Sequence, residues 1–256
     1  MIPVLFLHRG RHAYLQKAIH QAKRMGNYVI LIGDAQMDGV DEFHSIADYD
    51  SVLAEVTSFY VHLSTNSVAF EHLCLARWCI LAAFLKTSRW DTVYYSDSDV
   101  YLYFRTDEVY PTYPDGHLLY TLMYDQPGVR WSASGCCSFW TRESSAAFDT
   151  FIRSTYTTNL PLLMKKATYH RETNLPGGVC DMTLLYLFAQ TRPHIPLNRV
   201  HAGCAFDQNV RDNDNYYKDE YKKTQIQWRG GLPYLQNTRT GEWIRFYTLV
   251  EYAKMQ

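Results

Sequence analysis

The chain has 256 residues, 47% of them hydrophobic and 20% charged, which suits one large α/β domain with a substantial core. Its 25 basic residues balance 26 acidic ones for a formal charge of −1, and no block of like charge occurs. That excludes an extended nucleic-acid footprint, while leaving local basic residues for a small phosphate-bearing ligand.

The first residues, Met1-Ile2-Pro3-Val4-Leu5-Phe6-Leu7, form a short apolar run with no basic flank and no small-residue cleavage site. They read as a first strand rather than a signal peptide. Arg11 to Met25 follows at near-helical spacing (Ala13, Leu15, Ala18, Ile19, Ala22), with Gly26-Asn27 as the stop. Tyr28 to Ile32 is a second apolar strand ended by Gly33-Asp34, so the chain opens as a βαβ unit with parallel strands.

Asp38-Gly39 marks a turn, and Ser58 to Leu63 reads as a short strand. Asn66 or Ser67 caps a long buried helix reaching about Lys86. Its apolar stretch, Leu73 to Leu85, is interrupted by Arg77 and falls short of the roughly 20 residues that span a bilayer. No transmembrane segment is expected; peripheral membrane contact is compatible with the sequence.

Thr92-Val93-Tyr94-Tyr95 is a strand running into Ser96-Asp97-Ser98-Asp99, with further strands at Leu118 to Tyr124 and Ser138-Phe139-Trp140. Ser144 to Arg153 and Asp181 to Gln190 fit helices, and the turns at Gly230-Gly231-Leu232-Pro233 and Asn237 to Gly241 predict antiparallel strands. We therefore expect one domain over residues 1–256, with a parallel-sheet nucleotide half (about 1–104) and a mixed half (about 105–256) that builds the rest of the cleft. Cys74, Cys79, Cys136, Cys137, Cys180 and Cys204 form no CxxC pair, which argues against zinc and for free thiols. With no targeting signal, cytoplasmic residence is the expectation.

Asp97 and Asp99 carry the chemistry. In an open α/β sheet, ligands bind beyond the carboxyl ends of the strands. Residues two apart on an extended chain point the same way, so both carboxylates address one site. Two such charges favour a shared cation, and an all-oxygen pair suits Mg²⁺ or Mn²⁺. A bare Asp-x-Asp more often only caps a turn; the apolar strand, buried helix and βαβ start favour the metal reading here.

These pieces together carry a resemblance. His62-Leu63-Ser64-Thr65-Asn66, Ala76-Arg77-Trp78 and Val93-Tyr94-Tyr95-Ser96-Asp97-Ser98-Asp99-Val100 resemble the nucleotide-sugar half of GT-A glycosyltransferases, in the style of the galactosyltransferase-type family eight. Ile2 to Asp34 resembles their first βαβ unit, and Pro176 to Leu185 their acceptor-side segment. The resemblance implies a three-layer, Rossmann-like α/β domain with a mainly parallel central sheet and a smaller mixed or antiparallel part. It implies a hexosyl- or pentosyltransferase moving sugar from a nucleoside-diphosphate donor, UDP-linked, to a hydroxyl of a glycan or glycoconjugate.

By the same resemblance Asp97 and Asp99 hold the metal and diphosphate, and Asp99 coordinates most directly. Arg77 reaches the nucleotide or its phosphates; an arginine snorkelling from a buried helix is the plainer alternative. His8, Arg9 and Asp34 follow the first two strands, where base and ribose rest, although each also reads as a solvated loop residue. The family's late metal-binding histidine is missing from Leu249 to Lys254, so Glu251, His201, Asp207 or water supplies the third ligand.

Charge builds on the departing diphosphate during transfer, and a cation acting as Lewis acid stabilises it by several kcal/mol. Asp181, after Gly177-Gly178 and at a helix start, is the preferred acceptor-side carboxylate: a base in an inverting enzyme, a stabiliser in a retaining one, or merely a helix cap. Asp125 competes more weakly for the acceptor, and Trp131 with Trp140 forms a stacking wall or simply packs the core. The ten histidines show no HxH or HExxH spacing, and no Walker A loop or GxSxG elbow occurs. Two other readings compete: a non-enzymatic nucleotide-sugar or glycan-binding module, and a metal-dependent phosphohydrolase. The latter normally carries its Asp-x-Asp after the first strand.

Overall fold

The computed structural model describes residues 1–123, 126, 128–207 and 226–250. The chain opens with β1 (Val4–His8), α1 (Ala13–Arg24), β2 (Val29–Gly33) and the edge strand β3 (Glu42–Ser45). Next come α2 (Asp50–Phe59), α3 (Val68–Thr87), β4 (Thr92–Ser96), β5 (Val100–Leu102) and the short α4 (Thr106–Val109). β6 (Leu118–Leu122), β7 (Ala133–Thr141), α5 (Arg142–Thr158), α6 (Leu160–Glu172) and α7 (Asp181–Ala189) follow. The described chain closes with β8 (His194–Pro196), β9 (Cys204–Phe206), β10 (Gln227–Arg229), β11 (Leu232–Gln236) and β12 (Trp243–Val250).

The main sheet runs β3-β2-β1-β4-β7-β6-β8, and β7 alone among its described strands runs against its neighbours. A smaller sheet, β10-β11-β12-β5, is antiparallel, with β9 alongside β12 in parallel. This is the mixed α/β architecture with a mostly parallel central sheet that the sequence predicts.

The continuous apolar runs of β1 and β2 follow from burial on both faces. Alternate residues point to opposite sides. Val4, Phe6, Val29 and Leu31 meet the α1 stripe of Leu15, Ala18, Ile19 and Ala22, whereas Leu5, Leu7, Ile30 and Ile32 meet α3. α3 starts at Ser67, whose hydroxyl accepts from the Phe70 amide. At 20 residues it is long and apolar enough to cross a membrane, but here its apolar surface packs between the main sheet, α2 and α5. β7 lies so close to it that a Cβ on Gly135 would stand 2.2 Å from the Trp78 ring, so only glycine fits.

Two segments differ from expectation. Ser58 and Phe59 end α2 rather than begin a strand, because Val52, Leu53 and Val56 place a helical stripe on the α3 core. α6 has no counterpart in the sequence reading. Its Lys165, Lys166, Thr168 and His170 blur the apolar period, while Pro161 sits in its first turn, where proline is tolerated.

Candidate active site

The strand order defines a crevice. From β1 the chain works outward through β2 and β3, then returns to place β4 on the other side of β1. Such a switch point opens a ligand crevice beyond the carboxyl ends of the two strands. His8 ends β1, Asp97 follows β4, and His8 Nδ1 lies 2.9 Å from Ser98 Oγ across the gap. Asp34 follows β2 and accepts from the Gly10 amide through Oδ2 at 2.6 Å, so it holds the loop after β1. Arg9 is exposed in that loop. His8, Arg9, Asp34, Asp97 and Asp99 thus share one edge of the sheet.

Asp97 and Asp99 come together by a route the strand alternation does not predict. The Asp97 amide still donates to the Cys136 carbonyl at 2.9 Å, as part of the main-sheet ladder. The chain then turns tightly, with the Val100 amide donating to the Asp97 carbonyl at 3.2 Å, and enters β5 of the small sheet. The carboxylates therefore straddle a turn between sheets. Burial first, and then the Asp97 charge, push the Asp99 carboxyl up to about 6. Asp99 has no ion pair among the described residues, whereas Asp97 does.

Arg77 organises the rest. Its Nη1 donates to Asp97 Oδ1 at 2.7 Å, and Nε and Nη2 donate to Asp181 Oδ2 at 3.1 and 2.5 Å. Burial works against its charge, but Asp181 and then Asp97 outweigh it and raise the guanidinium well above its ordinary value. This arginine does not snorkel to solvent. Trp78 Nε1 adds a third donor to Asp181 Oδ2 at 2.9 Å, and the Tyr95 hydroxyl donates to Asp97 Oδ1 at 3.2 Å. The sequence reading missed both; an indole or phenol buried beside a charged residue is the signal, since such groups seek a polar partner.

Asp181 is the first residue of α7 and its side chain is 5% exposed. Oδ1 takes the Met182 amide at 2.8 Å, so both oxygens are engaged and the cap itself is Cys180. Through Oδ2 the carboxylate holds Arg77 in place, while Oδ1 accepts a single hydrogen bond.

The remaining expected residues divide. Asp207 lies near the crevice: its carbonyl is 3.3 Å from Cys137 Sγ, and Cys137 pairs with Ser96. His201 stacks on Tyr113 before β9 begins, at the other end of that strand from Asp207. Trp140 is 1% exposed and packs among Trp78, Tyr120 and Phe148, so it is core rather than sugar wall. Asp125 and Glu251 lie outside the described residues. Among the described residues no three His, Cys, Asp or Glu side chains converge as a ready metal shell. The histidines do make one cluster that spacing did not reveal: His8 Nε2 is 2.7 Å from His12 Nδ1, and His12 stacks on Tyr14. Burial, and then His12, lower the His8 imidazole to about 4, which keeps it neutral at pH 7.

Behind the crevice Lys166 is 3% exposed and donates to the Trp131 carbonyl at 2.9 Å and to Thr183 Oγ1 at 2.8 Å. It thereby ties the turn before β7, where Trp131 has φ 34°, to the first turn of α7. Burial lowers its ammonium from 10.5 to about 8. Between those two values the unfolded chain holds the proton that the folded one has lost, so stability rises with pH. Wild type should gain roughly 3 kcal/mol relative to Lys166→Met between pH 8 and 10.5, as read by urea unfolding at each pH. A constant difference across that window contradicts the assignment.

A cavity of about 1090 Å³ lies elsewhere: Thr92, at the start of β4, and Thr141, at the end of β7, line it. The length of β4, about 17 Å, separates it from the carboxylates.

No family model matches the chain, and no curated protein matches it either. Solved structures similar to it are glycosyltransferases. Mouse xyloside xylosyltransferase 1 in its apo form is 9% identical over 77% of this chain and 85% of its own, with a TM-score of 0.49. The galactosyltransferase LgtC, solved with donor and acceptor sugar analogs, is 12% identical over 75% and 73%, with a TM-score of 0.44. The glycosyltransferase GlyE of Streptococcus pneumoniae TIGR4 is 11% identical over 76% and 45%, with a TM-score of 0.39. At these identities no residue role passes from them to this chain.

Proposed function

We propose that this chain is a metal-dependent glycosyltransferase that moves a hexosyl or pentosyl group from a UDP-linked or other nucleoside-diphosphate sugar to a glycan hydroxyl. The observation that carries the reading is the Asp97–Asp99 turn, set at the carboxyl end of β4 where the strand order switches. Two half-buried carboxylates, one of them pushed up by burial and then by the charge of the other, fit a hard divalent cation such as Mn²⁺ or Mg²⁺. When bound, the cation supplies Lewis-acid stabilisation to the leaving diphosphate.

The chain's own groups do the positioning. Arg77, fixed by Asp181, orients Asp97 and places positive charge beside the carboxylates. His8 and Ser98 span the crevice floor, and Arg9 with Asp34 forms the loop beside them, on the side of the nucleoside.

A thermal-shift screen of UDP-, GDP-, ADP- and CDP-sugars, with and without Mn²⁺, tests the reading. One donor is expected to stabilise the protein only with metal, and product NMR then identifies the anomer formed. Equal stabilisation in excess chelator, or phosphate release from simple phosphomonoesters, rules the reading out. Metal-dependent binding without turnover on any acceptor would assign the chain as a binding module instead.

A further inference from the structure

Exposed apolar side chains gather on one short segment. Among the described residues six large apolar side chains are exposed, and three of them, Val61 (37%), Val68 (56%) and Phe70 (57%), fall between residues 61 and 70. Single exposed apolar residues are ordinary, so it is the gathering that calls for a cause. The segment runs from the loop after α2 into the first turn of α3. Val68 and Phe70 are two apart on a helix and so point about 200° apart around its axis. Both are exposed because the turn projects from the body: Thr65 to Phe70 are six exposed residues in a row.

This knob is firmly held. The Thr65 amide donates to the Gly177 carbonyl at 2.9 Å, and the Val179 amide donates to the Leu63 carbonyl at 2.9 Å. Ser64 Oγ and Asn66 Nδ2 donate to Glu71 Oε1 at 2.9 and 2.6 Å. Glu71 itself is 2% exposed, so it presents no carboxylate to the surface.

The charge pattern is as particular as the shape. From Val61 to Phe70 there is no aspartate, glutamate, lysine or arginine, only hydroxyls, an amide and one imidazole beside the apolar tips. Cations stand at the rim. Arg171 lines one cleft with Ser64 and Thr65, and among the described residues its guanidinium donates only to Thr168 Oγ1, at 3.4 Å. Its neighbour Glu172 lines a different cavity, beside Lys165. Arg9, from the loop after β1, adds positive charge near His72, whose imidazole is lowered by burial first and then by that arginine. Asp34 shares that loop but accepts from the Gly10 amide.

A convex apolar tip without ionic groups, rimmed by arginine, is complementary to a bilayer with anionic headgroups. Apolar side chains enter the acyl boundary, hydroxyls and amides meet the headgroups, and guanidinium groups stay at the charged surface. Protein contacts instead centre on tryptophan, tyrosine and arginine, and the tip has none of these. We infer that the projecting start of α3 docks this protein on an anionic membrane surface, with Val68 and Phe70 inserted and the basic rim facing the headgroups. This goes beyond the transfer reading and does not depend on it.

The full chain, without donor or metal, is sedimented with vesicles of phosphatidylcholine alone and of phosphatidylcholine with phosphatidylglycerol in equal parts. It should bind the anionic vesicles, and less so as salt is raised. Phe70→Ser and Val68→Ser should each lower the partition constant by about fivefold to tenfold. Both side chains are more than half exposed, so the melting temperature should stay the same. Arg171→Gln should cost about fivefold on anionic vesicles and nothing on neutral ones. Trp228→Ser, which removes a comparably exposed apolar side chain from β10, should change nothing. The inference fails if the wild type stays in the supernatant with anionic vesicles, if neither apolar variant weakens binding, or if Trp228→Ser weakens it as much. It also fails if the chain alone dimerises and Phe70→Ser makes it monomeric, which would assign the knob to a second copy.

Discussion

Asp99→Asn is expected to lower metal-dependent release of nucleoside diphosphate by about 1000-fold or more, equivalent to about 4 kcal/mol of transition-state stabilisation, while making the fold more stable. The sign follows from the carboxyl's position. Its folded value of about 6 lies above the ordinary 3.8, so ionising it costs the native state, and the full cost is present above pH 6. Asparagine removes that cost at pH 7. A substitution that gains stability and loses turnover marks a residue kept for chemistry rather than for folding. Asp97→Asn should abolish turnover as completely, but it should cost stability because it takes one partner from Arg77. Urea unfolding and a coupled diphosphate assay, each run with Mn²⁺ and with excess chelator, separate the two effects. Wild-type turnover that persists in chelator, or an Asp99→Asn protein less stable than wild type, contradicts this account.

Arg77→Met should destabilise the protein by about 3–5 kcal/mol, the usual cost of leaving a buried charge without its partner. The Asp181 side chain is 5% exposed and receives three of its four hydrogen bonds through Oδ2, two of them from Arg77. Removing the guanidinium strands that carboxylate against the Trp78 indole. The double variant Arg77→Met with Asp181→Asn should recover at least about 1 kcal/mol of the summed single costs, because both changes strike one network. Asp181→Asn alone should weaken metal-dependent donor binding together with transfer, since a neutral amide holds Arg77, and through it Asp97, less firmly. An Arg77→Met protein within about 1 kcal/mol of wild type, or additive costs in the double variant, would show that the network contributes little to folding.

The sequence disclosed those parts of the site whose signal is local. β1, α1 and β2 announce themselves by apolar period and glycine stops. The Asp97–Asp99 pair is visible because an apolar strand runs straight into it, and Arg77 because it is the one charge within Leu73 to Leu85. What lies between elements was not legible. Whether Trp78 faces Asp181 depends on the rotation of α3 against α7, and whether Tyr95 reaches Asp97 depends on how the chain leaves the sheet. His8 meets His12 through a loop whose path no periodicity encodes. α6 hid because its buried lysine, Lys166, occupies a position that patterning reserves for an apolar residue. The Asp-Ser-Asp geometry was misread for a related reason: an extended strand and a tight turn bring the same two side chains together, and only the pairing of Val100 with Val250 in β12 distinguishes them.

That pairing has a mechanical consequence. Asp97 is anchored to the large sheet through Cys136, and Asp99 leads directly into the small one. The acids therefore ride on two separately hydrogen-bonded bodies, like the jaws of a pair of tongs whose pivot is Ser98. Val100 and Leu102 of the small sheet share the core beneath α1 with Leu15, Ala18, Ile19 and Ala22, so loosening that sheet changes their bite and the packing under α1 together, and the grip on a cation gauges how firmly the two sheets are joined.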